Sequence, residues 1–171
     1  MIRDRIKELR RVKASELSAS PRNWRTHPQA QVDALSGVLD EIGYADALLA
    51  RELPDGSLEL VDGHCRREIS PDEEVPVLIL DLDEHEAAKL MTVLDPLAGM
   101  AEANSDALGL LLADLETESG ALQAMLDGLA ADNGIGNGEL PAGADGQEFD
   151  ESCADDVEMT ECPSCGYKFP K

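Results

Sequence analysis

The sequence predicts an α+β fold, in which a small mixed β-sheet is packed with helices and is followed by a helical extension and a disordered acidic linker. Three observations lead to this prediction. Two β-prone runs are joined by the turn residues Pro54-Asp55-Gly56, as in a hairpin. A continuous apolar strand at residues 75–83 is of the kind that is buried on both faces. Several other segments carry apolar residues at helical spacing.

The first helix has the clearest predicted boundaries. Thr26 and Gln29 form a capping-box pattern around Pro28, and Gly43 is placed to end the helix in a left-handed conformation. Periodicity and capping residues assign the other elements. In chain order the predicted elements are a strand at 11–17, a helix from 26 to 43, a hairpin at 47–63, a strand at 75–83, a helix from 83 or 84 to 94, and helices capped by Ser105 and Ser119.

The chain is predicted to have four parts. Residues 1–100 form the α+β domain, 101–131 a helical extension, 132–158 an acidic flexible linker and 159–171 a cysteine-containing tail. The linker has too little apolar surface to offset its ordering entropy. The extension carries two leucine stripes that we predict to be buried, in a core or against a partner helix. The stripes are Leu108, Leu111, Leu112 and Leu115, then Leu122, Met125, Leu126 and Leu129.

The charge is polarised along the chain. The net charge is -22, yet residues 1–27 hold eight Lys/Arg against three Asp/Glu, and residues 28–171 hold six against thirty-three. Such an acidic body disfavours tight, sequence-independent DNA binding by the whole surface. Weak phosphate contacts are expected only from basic residues near the N-terminus, unless these residues line a solvated helix face. The basic residues are Arg3, Arg5, Lys7, Arg10 and Arg11.

No run of residues suits a secretory signal or a membrane span, so we expect a cytoplasmic protein with no membrane contact.

The segment that is best suited to bind a ligand or carry chemistry is Gly63-His64-Cys65-Arg66. A β-prone run enters a glycine turn and a short helical stretch there, which leaves backbone N–H groups free for a phosphate or carboxylate. Arg66 and Arg67 supply donors that match phosphate oxygens. The competing interpretation is that both arginines pair with nearby acidic side chains and that His64 is a satisfied turn residue.

The order of these motifs resembles the N-terminal domain of ParB-like proteins, the superfamily that also contains sulfiredoxin. The resemblance covers residues 10–100. It consists of the Pro-x-Asn-x-Arg stretch ending at Arg25, a helix ended by Gly43, a hairpin, and the Gly-[Glu/His]-x-Arg turn. It implies that the turn binds a phosphate group of a nucleotide, with Mg²⁺, or of DNA. The implied phosphate-binding residues are Asn23, Arg25, Gly63, His64, Cys65 and Arg66.

The same resemblance implies a role in DNA metabolism. Residues 75–81 and 87–104 look like the variants found in phages, prophages and fusions to DNA methylases. Some family members are called nucleases, so a nuclease or a nucleotide hydrolase is an open alternative, and Asp62, Glu68, Asp81 and Asp83 are available to hold a metal. Sulfiredoxin-type activity is not expected, because Cys65 follows His64 rather than preceding it. A non-catalytic adaptor, with protein partners on the leucine-striped helices, is the other alternative.

The tail contains a zinc-knuckle-like Cys-Pro-Ser-Cys-Gly motif. Cys162 and Cys165 form half of a tetrahedral zinc site, and Cys153 is the nearest further thiolate. Three alternatives stay open, because four ligands are normally needed: completion by a second subunit in a homodimer, a metal-free degenerate tail, or a ribbon that has lost its other half.

Overall fold

The computed structural model describes residues 2–136, 159–161 and 168–170, and the chain divides into two units, residues 1–138 and 139–171. The first unit is a five-stranded mixed sheet with packed helices, which confirms the predicted α+β fold class. In the second unit two short strands pair antiparallel. Beyond residue 136, the predicted acidic linker lies outside the described residues.

The elements of the first unit follow the predicted order, except that two strands separated by a short 3₁₀ turn at Ala14–Glu16 replace the single predicted strand at 11–17. They are β1 (Ile6–Lys13), β2 (Leu17–Ser18), α1 (Gln29–Glu41), β3 (Leu48–Glu52), β4 (Leu58–Asp62), α2 (His64–Ile69), β5 (Glu74–Leu80), α3 (Glu84–Ala98), α4 (Ser105–Ala113) and α5 (Gly120–Asp132). The strands of the second unit are β6 (Met159–Glu161) and β7 (Lys168–Pro170).

The sheet has the strand order β1-β5-β3-β4-β2. The pairs β1–β5 and β3–β4 are antiparallel, whereas β3–β5 and β2–β4 are parallel. The β3–β4 hairpin is as predicted, and its turn contains Gly56 at a φ of 83°. Gly43 has a φ of 84° directly after α1, so the predicted left-handed helix end is also confirmed.

Both faces of the sheet are covered, which explains the apolar sequence of β5. Alternate residues of the three central strands build the main core on one face. These residues are Leu48, Ala50, Leu58, Leu60, Val75, Val77 and Ile79. On the opposite face, Val61 packs with Ala87 and Met91 of α3. The predicted strand that is buried on both faces is therefore confirmed in β5.

The basic N-terminal segment is an edge strand, so the predicted start at residue 11 and the alternative of a solvated helix face are both wrong. Ile6, Leu9 and Val12 recur every three residues, which imitates a helical pattern. The backbone ladder with β5 decides the conformation instead. Ile6 and Leu9 remain about half exposed, at 51% and 60%. The charged side chains between them are of the kind that discourages edge-to-edge pairing.

Helix capping agrees with the sequence in part. Pro28 is the N-cap of α1 and no side chain caps this helix, so the predicted capping by Thr26 is wrong. The reason is that the loop before α1 is extended and leaves Thr26 exposed. Ser119 caps α5 as predicted, with its Oγ accepting from Leu122 N at 3.2 Å. The cap of α4 is Asn104, one residue earlier than predicted.

α3 is anchored to the sheet by charge as well as by apolar packing. A capping box at its start joins Asp83 and Glu86. Arg5, just before β1, donates to Glu86 Oε2 at 2.6 Å. This hydrogen bond and the cap lower the pKa of Glu86 to about 2.

Although α3 is the longest described helix, neither it nor any other helix in the described residues has the length and apolarity to cross a bilayer.

Half of the eight stripe residues are exposed, so the described core does not bury the stripes fully, and their predicted packing against a partner helix stays a prediction. Leu122 is buried, but Leu111 and Leu115 are 58% and 46% exposed. Met125 and Leu129 are 49% and 40% exposed. α5 packs on α1 and also contacts α4, and these contacts leave Met125 and Leu129 partly exposed. Periodicity identified an apolar face correctly, but it could not show whether a partner lies against it.

α5 docks on α1 through a glycine and a carboxylate. Gly37 of α1 is buried against Ser119 and Leu122, so the two helices approach closely. Four residues further along α1, Glu41 Oε1 accepts hydrogen bonds from Thr117 Oγ1 at 2.6 Å and from the N–H groups of residues 118 and 119. The bond from Thr117 is the main cause that lowers the pKa of Glu41.

A Cβ atom at position 37 tests this docking. In Gly37→Ala it would lie 2.6 Å from Ser119 Cβ, and we expect destabilisation by about 1–2 kcal/mol, because overpacking outweighs the gain in helix propensity. Gly128→Ala in α5 is the control, since its Cβ meets nothing within 4 Å, and it should stabilise the protein by about 0.5–1 kcal/mol. Urea midpoints measure both changes. Equal stabilisation in the two variants would contradict the close approach.

Candidate functional site

A cavity of about 200 Å³ lies where the β4–α2 turn, the loop before α1 and the second half of α3 meet. Val61, Leu35 and Met91 give it apolar walls, and polar side chains line the rest. All six residues predicted to bind phosphate line this one cavity, and their role in binding remains a prediction. They are Asn23, Arg25, Gly63, His64, Cys65 and Arg66.

Gly63 makes the turn that carries the site. Its φ of 97° is one that residues with a side chain rarely adopt. A Cβ at this position would also lie 2.5 Å from Leu48 Cγ, in the main core. Backbone conformation and space therefore both require glycine, and β4 passes directly into α2 with no intervening loop.

His64 joins the turn to the loop before α1. It is 7% exposed, and its Nε2 accepts a hydrogen bond from Ser20 N at 3.3 Å. Because Nε2 accepts, the neutral ring carries its proton on Nδ1. Burial lowers the pKa of His64, an effect that the charges of Asp62 and Glu68 oppose. His64 therefore holds the loop in place as a neutral imidazole, which is the satisfied turn residue of the competing interpretation.

Cys65 is a packing residue in this arrangement. Its side chain is buried, and burial is the main cause that raises the pKa of the thiol. The reactive thiolate is therefore disfavoured at neutral pH. This is the opposite of the electropositive, partly exposed environment that activates a cysteine nucleophile.

The arginines of the turn have different partners. Arg66, with 15% of its side chain exposed, donates to Asp46 Oδ2 at 3.0 Å and to Asp62 Oδ2 at 3.1 Å. Arg67 donates through Nε to the carbonyl of Leu17 at 2.8 Å and belongs to the scaffold. Pairing of Arg66 with carboxylates agrees with the competing interpretation, but the guanidinium also lines the cavity.

The loop before α1 supplies the second charged wall. Asn23 Oδ1 accepts from Arg25 N at 3.2 Å, which fixes a local turn. The Arg25 guanidinium lies 4.7 Å from the centre of the Trp24 ring, and its NH2 is 2.8 Å from Asp95 Oδ2 on α3. The loop is thus held against α3 by an ion pair and against the turn by His64.

The predicted phosphate-binding set left out eight residues of the cavity wall, of which only Asp62 had been named, as a candidate metal ligand. The additional lining residues are His27, Gln31, Leu35, Val61, Asp62, Met91, Leu94 and Asp95. One signal could have found His27: in an extended segment, alternate residues share a side. Asn23, Arg25 and His27 are partly buried, whereas the residues between them are exposed. The residues from α3 are distant in sequence and gave no local signal.

The predicted metal positions receive no support. Of the candidate nuclease carboxylates, Asp62 lines the cavity, but Asp81 lies near Arg5 and Asp83 caps α3. Among the described residues, no group of three His, Cys, Asp or Glu side chains could hold a metal ion. The zinc prediction falls on Cys153, Cys162 and Cys165, which lie outside the described residues.

Neither a scan against protein-family models nor a search of curated proteins finds a match for this sequence. The fold is similar to that of the C-terminally truncated chromosome-partitioning protein ParB from Caulobacter crescentus. In its complex with CTP-γ-S the sequence identity is 22%, the TM-score is 0.53, and 61% of each chain is covered. In its complex with the centromeric parS site the sequence identity is 19% and the TM-score is 0.43, and the match covers 74% of this chain and 70% of that chain.

The first of these likenesses shows that this chain has a ParB-like fold. The chain covers 61% of that ParB structure. The predicted resemblance is therefore confirmed at the level of the fold.

The lowered pKa of His64 predicts a loss of stability in mild acid. As pH falls through the ordinary histidine pKa of about 6.5, His64 becomes protonated in the unfolded chain. In the folded protein its pKa is lower, so His64 stays neutral until a lower pH, and the unfolded state is favoured. Stability should therefore fall between pH 7.5 and 5.5, and it should fall less in His64→Gln, which keeps an acceptor. Urea unfolding at each pH measures this difference. His85→Gln, at an exposed position of α3, is the control, and identical pH profiles for wild type and His64→Gln would refute the assignment.

Proposed function

We propose that the cavity binds a phosphate group of a nucleotide or of DNA. The observation that supports this most strongly is that Arg25 and Arg66, from separate elements, line the same small cavity. Two guanidinium groups on different walls can donate to different oxygens of one tetrahedral anion. The apolar residues around them reduce competition from water.

The present partners of both arginines are carboxylates that a phosphate could replace. Asp46 and Asp95 have side chains 81% and 50% exposed, so either can swing into solvent at little cost. The Arg66 side chain is largely buried, and the Arg25 guanidinium lies over the Trp24 ring. Arg66 also pairs with Asp62, which lines the cavity, so a bound phosphate would compete with that carboxylate as well.

The cavity size fits a phosphate group better than a whole nucleotide. At about 200 Å³ it is smaller than the roughly 300 Å³ at which pockets begin to enclose drug-sized ligands. The remainder of the ligand would therefore lie outside the cavity. If Mg²⁺ accompanies a nucleotide, phosphates and water would supply most of its ligands, with a single carboxylate such as Asp62 in reach.

A nucleotide is a better candidate than duplex DNA. The body of the protein is strongly acidic, and phosphate-backbone binding depends on many basic contacts. Two of the basic side chains of β1 are already paired, Lys7 with Glu52 and Arg10 with Glu8. The C. crescentus protein of similar fold is complexed with CTP-γ-S, which makes CTP a natural first probe.

The proposal also covers the biological role of the protein, its reaction and its cysteine-containing tail. We propose a role in DNA metabolism of the phage or prophage type, on the strength of the sequence resemblance alone. Nuclease or hydrolase activity should be assayed after binding has been measured, because no cluster of carboxylates among the described residues favours it. Zinc binding by the tail remains a prediction for metal analysis of the purified protein.

A second candidate function, a non-catalytic adaptor, is favoured by one observation. A groove of about 740 Å³ lies between α1 and α5, next to the exposed leucine stripes. Residues 101–136 contain seven Asp/Glu and no Lys or Arg, so this helical face is both apolar and acidic. Protein partners on this face would require no ligand in the 200 Å³ cavity.

Replacing Arg66 tests the proposed function. A thermal-shift screen of the intact protein against nucleotides, pyrophosphate and short DNA, with and without Mg²⁺, should identify a stabilising ligand. Titration calorimetry should then show that Arg66→Ala weakens its binding about 10- to 100-fold, because charge-assisted hydrogen bonds are lost. The control is Arg10→Ala, which also removes an ion-paired arginine but lies on β1, away from the cavity.

Two results would contradict this proposal. Unchanged affinity in Arg66→Ala would place the ligand elsewhere on the protein. No stabilisation by any ligand would leave the adaptor as the better supported function.

A further inference from the structure

His27 lies in the cavity in a way that the sequence did not indicate. It is the third inward-facing residue of the extended loop, after Asn23 and Arg25, and it sits two residues before α1. Its Nδ1 is 3.2 Å from Gln31 Oε1, one turn into the helix. The other ring nitrogen, Nε2, is buried and has no hydrogen-bond partner within the described part of the chain.

Arg25 has a similar unsatisfied atom in the same cavity. Its NH2 is paired with Asp95, but its Nε is buried with no partner among the described residues. Buried polar atoms without partners are rare, and each one calls for an explanation. Two of them belong to residues two positions apart on one loop, and both residues line the same cavity.

We propose that His27 Nε2 and Arg25 Nε together bind an oxygen of the anionic group whose binding was proposed above. This inference depends on the proposed function, and it adds His27 as a binding residue. The ligand would then bridge the turn, through Arg66, and the loop, through Arg25 and His27.

The form of His27 depends on the rotamer of Gln31. With Oε1 towards Nδ1, as in the structure, the neutral ring carries its proton on Nδ1, so the proposed donor at Nε2 requires a half-turn of the Gln31 amide. The terminal amide of glutamine can present either its oxygen or its NH2 group to Nδ1. When NH2 donates to Nδ1, the neutral ring keeps its proton on Nε2, which can then donate to an anion. The charged groups that line the cavity with His27 are Arg25, Asp62, Arg66 and Asp95, and the neutral titratable groups are His64 and Cys65. His27 therefore adds a donor without adding a permanent charge.

The affinity test uses CTP and inorganic pyrophosphate as probes in titration calorimetry of the full-length protein. His27→Phe keeps a planar aromatic ring and removes both nitrogens, so it should weaken binding about 10-fold or more, as expected for a lost hydrogen bond to a charged group. His27→Gln, which places an amide donor near the position of Nε2, should recover most of the loss. His85→Phe, at an exposed histidine outside the cavity, should bind like wild type.

A second measurement does not depend on how well a variant folds. In protein with ¹⁵N-labelled histidine, ligand should shift the Nε2 resonance of His27 and leave that of His85 unchanged. Wild-type binding combined with an unshifted His27 resonance and full affinity in His27→Phe would overturn the inference while leaving the proposed function intact. That result would indicate an ordered water at the two atoms. If wild type binds neither probe, both the inference and nucleotide-phosphate binding fail.

Discussion

The arrangement of this site depends on the absence of a side chain at position 63. Gly63 lies against Leu48 in the main core and has a backbone conformation that side-chain-bearing residues avoid. Because of this contact, β4 turns into α2 within one residue, and the next three side chains are placed in fixed directions. The core of the sheet therefore determines where Arg66 lies, and no flexible loop intervenes.

From this fixed turn, hydrogen bonds position the rest of the cavity. His64 holds Ser20 N, and Ser20 Oγ donates to Glu59 Oε1 at 2.9 Å. Glu59 is in turn paired with Arg51 on the neighbouring strand, and both side chains of that pair are largely buried. A continuous polar chain thus connects the sheet with the loop that carries Arg25. The chain is not fully satisfied at its far end, because Arg51 Nε is buried without a hydrogen-bond partner among the described residues.

Sequence reasoning recovered the parts of the structure that local chemistry controls. The hairpin, β5 and the turn at Gly63 were predictable, because turn residues and apolar runs act over a few positions. The resemblance added Asn23 and Arg25, and the structure brings both to the turn. Leu111 and Met125 show the limit, since a periodic stripe has the same sequence whether or not a partner covers it. Asp95 shows another limit, because only the tertiary fold brings α3 to the loop.

α1 has one further consequence for how the protein responds to its ligands. Gln31 and Leu35 line the phosphate-sized cavity, and they also line the groove against α5. The two cavities therefore share a wall. A molecule that displaces this wall from one side changes the shape available on the other, and thermodynamic reciprocity requires the effect to be equal in both directions. Coupling of this kind would pass through Gln31 and Leu35, the two residues that both cavities share.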